Sequence, residues 1–193
     1  MNPESVLDLF RQRGALLEGH FVLSSGLHST GYLQCALILQ HPADAEALGR
    51  ALGEKVKAAG HAIDVVLSPA MGGLIIGHEV GRALGVRAIF AERVDGTLTL
   101  RRGFALQPGE RVLVVEDVVT TGKSTMETVL VAQQAGATVA AAASIINRGG
   151  GDGLAIPYVS LADARFPTFP ADAVPAELRD VPAIKPGSRP GLK

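Results

Sequence analysis

The sequence is poor in cysteine, in net charge, in long apolar runs and in a basic start, and each shortage removes a class of protein. One cysteine, Cys35, cannot form an internal disulfide, so a reducing cytoplasm is the simple reading and the residue itself reads as packing rather than catalysis. A formal net charge of -1 leaves no electrostatic footprint for nucleic acid or an anionic membrane, so any anionic ligand must be held by local groups. No apolar stretch reaches the roughly 18 residues of a membrane span. Residues 1–13 carry Glu4, Asp8 and Arg11 among their apolar positions, and so lack the basic start and unbroken apolar centre of a signal peptide. His20, His28 and His78 show no metal-ligand or nucleophile spacing and read as surface or packing residues.

What is present is a chain of 193 residues, 47% hydrophobic, enough for one domain with a substantial core and too apolar for wholesale disorder. Helical spacing of Val6, Leu7 and Phe10, with acidic residues in the first turn, predicts a helix over 3–11. Residues 20–23 and 32–35 read as extended, separated by a polar, glycine-containing segment at 24–31. From 42 onward helices and strands alternate: helix 42–59, strand 63–67, helix 73–84, strand 87–90, then, after a polar stretch, strand 111–115, helix 123–135 and strand 138–146. Short β-branched strands alternating with amphipathic helices predict an α/β domain whose mainly parallel central sheet is flanked by helices on both faces. The expected organisation is a single domain over 1–193: an N-terminal cap, or hood, at 1–41, an α/β core at 42–150 and a C-terminal segment at 151–193. That last segment holds seven of the eleven prolines, has low helix potential, and is expected to wrap the surface or to fray beyond Lys185.

The chemistry concentrates in Arg111-Val-Leu-Val-Val-Glu-Asp-Val-Val-Thr-Thr-Gly-Lys-Ser-Thr125, an apolar strand that runs into two carboxylates and then a small, hydroxyl-rich turn. In open α/β sheets ligands sit at the carboxyl ends of the strands, where Glu116 and Asp117 would be delivered. Thr120, Thr121, Gly122, Lys123 and Ser124 would then form a turn and first helical residues whose unpaired N–H groups can cradle a phosphate. Gly122-Lys-Ser is not a Walker A loop, because that pattern needs glycine at 117, where this chain has aspartate. Paired acids facing a phosphate cradle suit a ligand with hydroxyls between its phosphates: carboxylates accept hydrogen bonds from ribose and help retain Mg²⁺ on a ribose-pyrophosphate.

This segment resembles the signature with which type I phosphoribosyltransferases bind 5-phosphoribosyl-1-pyrophosphate (PRPP). Phe21-Val-Leu-Ser-Ser-Gly-Leu-His-Ser-Thr-Gly-Tyr32 is similar to the N-terminal pattern of the orotate enzymes among them, and Ser68-Pro-Ala-Met-Gly-Gly-Leu74 to their pyrophosphate loop. The resemblance runs over nearly the whole chain, including 178–190, and implies the type I phosphoribosyltransferase fold, transfer of a phosphoribosyl group from PRPP to orotate, Mg²⁺ as cofactor, and a homodimer sharing a loop across subunits. It implies PRPP contacts at Glu116, Asp117, Val118, Val119, Thr120, Thr121, Gly122, Lys123, Ser124, Met71 and Gly72. Orotate contacts follow at Thr120, Arg148, Tyr32 and Leu33, with the Arg148 guanidinium pairing with the orotate carboxylate. Magnesium would be held mainly through PRPP, with Asp117 the one carboxylate implied beside it.

Two departures stand out. Ser24 replaces the usual lysine or arginine before Ser25-Gly26, and the loop Glu92-Arg-Val-Asp-Gly-Thr-Leu-Thr-Leu-Arg-Arg-Gly103 is short and lacks lysine and histidine, leaving Arg93, Arg101 and Arg102 as its catalytic cations beside Asp117. Two other readings fit the same residues: a phosphoribosyltransferase for another nucleobase, and a non-catalytic regulator that senses PRPP.

Overall fold

The computed structural model describes residues 1–23 and 25–185; Ser24 and residues 186–193, and with them the expected fraying of the last residues, lie outside that description. Helix α1 (Pro3–Gln12) starts where Asn2 Oδ1 accepts the Ser5 N–H at 2.8 Å and Pro3 supplies a ready-made φ. Val6 and Phe10, one turn apart, are its buried face. Strands β1 (Leu16–Val22) and β2 (His28–Leu33) then pair antiparallel, with Phe21 opposite Ser29. Both are longer or earlier than the extended runs expected at 20–23 and 32–35. The second half of the polar stretch 24–31 is strand, beginning at His28. Its polar look comes from Ser29 and Gly31, small residues on the buried face of that strand.

After short α2 (Ala36–Leu39) the order is α3 (Pro42–Ala58), β3 (Val65–Pro69), α4 (Gly73–Leu84), β4 (Arg87–Val94), β5 (Thr97–Leu100), β6 (Arg111–Val119), α5 (Lys123–Gln134), β7 (Thr138–Asn147) and β8 (Tyr158–Asp163). These six strands form one sheet in the order β5-β4-β3-β6-β7-β8, parallel except for β5. Two features differ from the sequence reading. The stretch after residue 90 is a hairpin, not a loop: Asp95 and Gly96 both have positive φ (48° and 84°), the two-residue turn whose twist matches paired strands. The sheet also continues past residue 150, because β8 hydrogen-bonds to β7 and buries Leu161 and Ala162 at 3% exposure each. The prolines that lowered the helix potential of this segment flank β8 rather than interrupt it.

Alternation along β6 explains the layers. Val112 and Val114 pack into one apolar cluster with Val129 and Ala132 of α5, while Leu113 and Val115 pack into the other with Leu48 and Leu52 of α3 and Ile76 and Val80 of α4. A strand buried on both faces must be continuously apolar, and 112–115 is. The chain then returns to its own beginning: β9 (Thr168–Phe169) pairs with β2, α6 (Ala176–Arg179) follows, and Ile184 bridges to Phe21. His20 and His28 contact each other through Nε2 and Nδ1, and His20 Nδ1 meets the Val181 carbonyl, so both serve packing of the hood against the tail. No helix among the described residues is long and apolar enough to cross a membrane.

Candidate active site

Strand β6 carries its apolar run to Val115 and then delivers Glu116, 8% exposed, and Asp117 at the carboxyl edge of the sheet. Asp117 Oδ1 accepts the Val118 N–H at 2.8 Å and faces the loop after β3, where a Cβ on Gly72 would sit 2.7 Å from the same oxygen. Glycine at 72 therefore lets the two strand ends approach. The chain turns through Thr120 and Thr121 to Gly122, whose φ of 76° and whose contact with Leu154 and the Gly150 carbonyl both exclude a side chain. Helix α5 begins at once, Gly122 offers no capping side chain and only the Lys123 N–H meets one, Thr121 Oγ1 at 3.4 Å, so the other N–H groups of its first turn open into the recess lined by Glu116 and residues 118–125. That is a cradle for an anion built from backbone, beside two carboxylates.

A larger cavity, about 210 Å³, adjoins it and is lined by Pro69, Ala70, Gly72, Arg93, Glu116 and Asp117, with Leu98, Val118 and Ser124 completing the wall. Of the three loop arginines, Arg93 alone reaches this cavity. Its guanidinium donates to the Gly96 carbonyl and pairs with Glu127 of α5, each at 2.5 Å. Arg101 and Arg102 instead approach Glu92, at 3.6 and 2.9 Å. Glu92 and Arg93 are neighbours in a strand and point to opposite faces, which separates the cations. Met71, 81% exposed, lies between Ala70 and Gly72 but does not itself line the cavity.

Arg148, Tyr32 and Leu33 are outside this cavity. The Arg148 N–H donates to the Val119 carbonyl at 2.8 Å, which places the arginine at the foot of the phosphate turn next to Thr120. Its side chain is half-buried, has no carboxylate partner among the described residues, and is held somewhat below the usual arginine range by burial. The glycine-rich turn that follows is pinned by Asn147, whose Oδ1 accepts the N–H groups of Gly149 and Gly151 at 2.9 and 3.0 Å. A Cβ on Gly150 would lie 2.5 Å from the Thr120 carbonyl, so this turn is the bed on which the phosphate turn rests. Sequence reasoning missed Asn147, Gly150, Glu127 and Leu98. For Leu98 the signal was there, since Asp95-Gly96 between alternating residues marks a hairpin, and for Asn147 too, since an asparagine ahead of a glycine run marks a turn; for Gly150 and Glu127 the partners, Thr120 and Arg93, are remote in sequence. Cys35 is buried, as expected of a packing residue, and its thiol lies against the Asp117 carboxylate.

The Phosphoribosyl transferase domain family matches residues 36–159. Over 191 residues the chain is 53% identical to the orotate phosphoribosyltransferase of Novosphingobium aromaticivorans, covering 98% of each chain. Over 190 residues it is 49% identical to that of Heliobacterium modesticaldum, covering 98% of this chain and all of the relative. The chain belongs to the orotate phosphoribosyltransferase family. The crystal structure of orotate phosphoribosyltransferase from Aeropyrum pernix agrees, with a TM-score of 0.67, 29% identity, and coverage of 82% of this chain and 93% of that one.

In this member of the orotate phosphoribosyltransferase family the two carboxylates are not electrically alike. Burial pushes Glu116 from 4.5 up to about 8, and the charge of Asp117 adds to the push; Asp117 is raised too, by burial, against hydrogen bonds from backbone N–H groups and Cys35. The folded chain thus holds a proton on Glu116 that the unfolded chain releases between pH 4.5 and about 8. Stability contributed by that proton is full below pH 4.5 and is lost as pH rises through about 8, by no more than about 5 kcal/mol. Thermal unfolding followed from pH 5 to 9 should show this decline, and Glu116→Gln should flatten it. Equal slopes in the two proteins would mean that Glu116 ionises normally.

Proposed function

We infer that this chain transfers the 5-phosphoribosyl group of PRPP to orotate, giving orotidine 5′-phosphate and pyrophosphate, in de novo synthesis of pyrimidine nucleotides. The observation that carries the reading is the delivery of Glu116 and Asp117 by β6 into a cavity walled by an uncapped helix start, in a chain about half identical to orotate phosphoribosyltransferases along its length. The 5-phosphate belongs in the recess formed by Thr120, Thr121, Gly122, Lys123 and Ser124, with Val118 and Val119 leading into it. The ribose hydroxyls belong on Glu116 and Asp117, and the pyrophosphate beside Met71, Gly72 and Arg93.

Orotate then falls between Thr120, Arg148 and the hood residues Tyr32 and Leu33, its carboxylate on the guanidinium. The bond from ribose C1 to the pyrophosphate oxygen breaks with its electrons leaving on pyrophosphate, and the orotate nitrogen supplies the pair for the new bond. The proton on that ring nitrogen passes to the departing pyrophosphate or to water as the bond forms, so the residues need only position both partners and stabilise the leaving charge. The Asp117 carboxylate suits Mg²⁺, which takes one or two protein oxygens and fills the rest of its shell from phosphates and water. Bound chiefly through PRPP and touched by Asp117, it would neutralise the departing pyrophosphate.

The unit proposed is one domain, 1–193, working in the cytoplasm as a homodimer. Arg101 and Arg102, which do not line the cavity of their own subunit, would act in the partner subunit's site. Loss of orotate absorbance on adding PRPP and Mg²⁺ tests the reading. Adenine, hypoxanthine and uracil in its place separate a different base specificity, and PRPP binding without turnover would replace the enzyme by a sensor.

A further inference from the structure

Arg148 follows β7 as a half-buried cation with no carboxylate partner among the described residues, and a free guanidinium has about 2 kcal/mol of rotamer entropy to lose before it can grip anything. Its side chain is nevertheless not free. The Arg148 Cζ lies 5.4 Å from the centroid of the Phe166 ring. The same ring covers Gly31 so closely that a Cβ there would collide with three of its carbons, and it packs on the apolar cluster beneath the hood. Gly31 immediately precedes Tyr32 and Leu33, so one aromatic ring joins the arginine after β7 to the hood strand β2.

Phe166 is itself held in place. The Ala164 N–H donates to the Asn147 carbonyl at 2.9 Å, and Arg165 pairs with Asp152 at 2.7 Å. Asp152 in turn accepts the Asn147 side-chain amide at 2.9 Å. These bonds fasten the segment carrying Phe166 to the turn that carries Arg148. The ring's place is thus fixed from both sides, by polar bonds to the Asn147 turn and by apolar contact with Gly31.

We propose that Phe166 is a positioning residue for orotate binding: its ring fixes the Arg148 guanidinium in the orientation that meets the substrate carboxylate, and couples that arginine to the hood. This rests on the assignment of Arg148 to orotate. A cation–π contact orients a guanidinium without neutralising it, unlike a glutamate, and so leaves its charge available to an anionic ligand.

Steady-state kinetics with each substrate varied test this on Phe166→Ala, Phe166→Leu, Phe166→Tyr, Arg148→Ala and the Phe166→Ala/Arg148→Ala double variant. Phe166→Ala should raise the orotate KM about three- to tenfold, with the PRPP KM close to wild type. Tyrosine should recover most of that loss, whereas leucine, which fills space without a π face, should not. The double variant should bind orotate no worse than Arg148→Ala alone. Multiplying penalties, an equal rise in both KM values, or full recovery by leucine would overturn the proposal. If Phe166→Ala fails to fold, the leucine and tyrosine pair decides it. A wild-type orotate KM in Arg148→Ala would instead remove the assignment of the arginine, a separate result.

Discussion

Asp117→Asn should fold as well as the parent and turn over PRPP about a hundredfold more slowly, because it exchanges a charged acceptor for a neutral amide without changing shape. The geometry leaves room for that substitution: the side chain touches the Gly72 backbone, the Val118 N–H and the Cys35 thiol, and an amide oxygen can still accept from Val118. What is lost is a full negative charge on the ribose and metal side of the cavity. A second consequence follows from the coupling of the two acids. Asp117 adds to the upward push on Glu116, so removing its charge relaxes that neighbour and should raise the melting temperature near pH 8. Lower turnover with equal or higher stability separates a functional loss from a folding defect. Parental turnover in Asp117→Asn would remove the role assigned to this carboxylate.

Arg93→Ala is expected to cost 10²- to 10³-fold in turnover, on the order of removing one preorganised donor from a transition state, with little change in stability. Stability is spared because the arginine is 44% exposed, and an exposed pair such as Arg93 with Glu127 contributes about 1 kcal/mol or less. The division of the arginines adds a sharper test. Arg93 faces its own cavity, whereas Arg101 and Arg102 are held on the other face by Glu92. In a dimer that shares this loop, an Arg93→Ala subunit paired with an Arg101→Ala/Arg102→Ala subunit has one intact site. Random mixing of the two weak enzymes should then restore about a quarter of parental activity. No recovery on mixing, with dimers confirmed, would mean that all three arginines act within one subunit or that the last two do not act.

How legible this was depended on distance along the chain. The strand, acids, turn and helix at 111–125 could be read because everything that shapes them is local: an apolar run, two carboxylates, Gly122 at positive φ and a helix start. Strand β8 could not, since its place depends on pairing with β7, and its flanking prolines signalled only what it was not. Strand β2 was misplaced because its buried face is made by Ser29 and Gly31, so burial alternates along it while hydrophobicity does not. The hairpin after β4 was the readable omission, for Asp95-Gly96 states its own turn. Phe166 had no local signal, as the ring matters through Arg148 and Gly31, each far from it in sequence.

The hood is assembled from both ends of the chain: its third strand is Thr168–Phe169, and Ile184 lies against Phe21. During synthesis, residues 16–33 must therefore wait on the ribosome for partners made about 140 residues later, while the sheet behind them completes itself at β8. A chain cut short after β8 would therefore carry a nearly whole phosphate site under an unfinished roof.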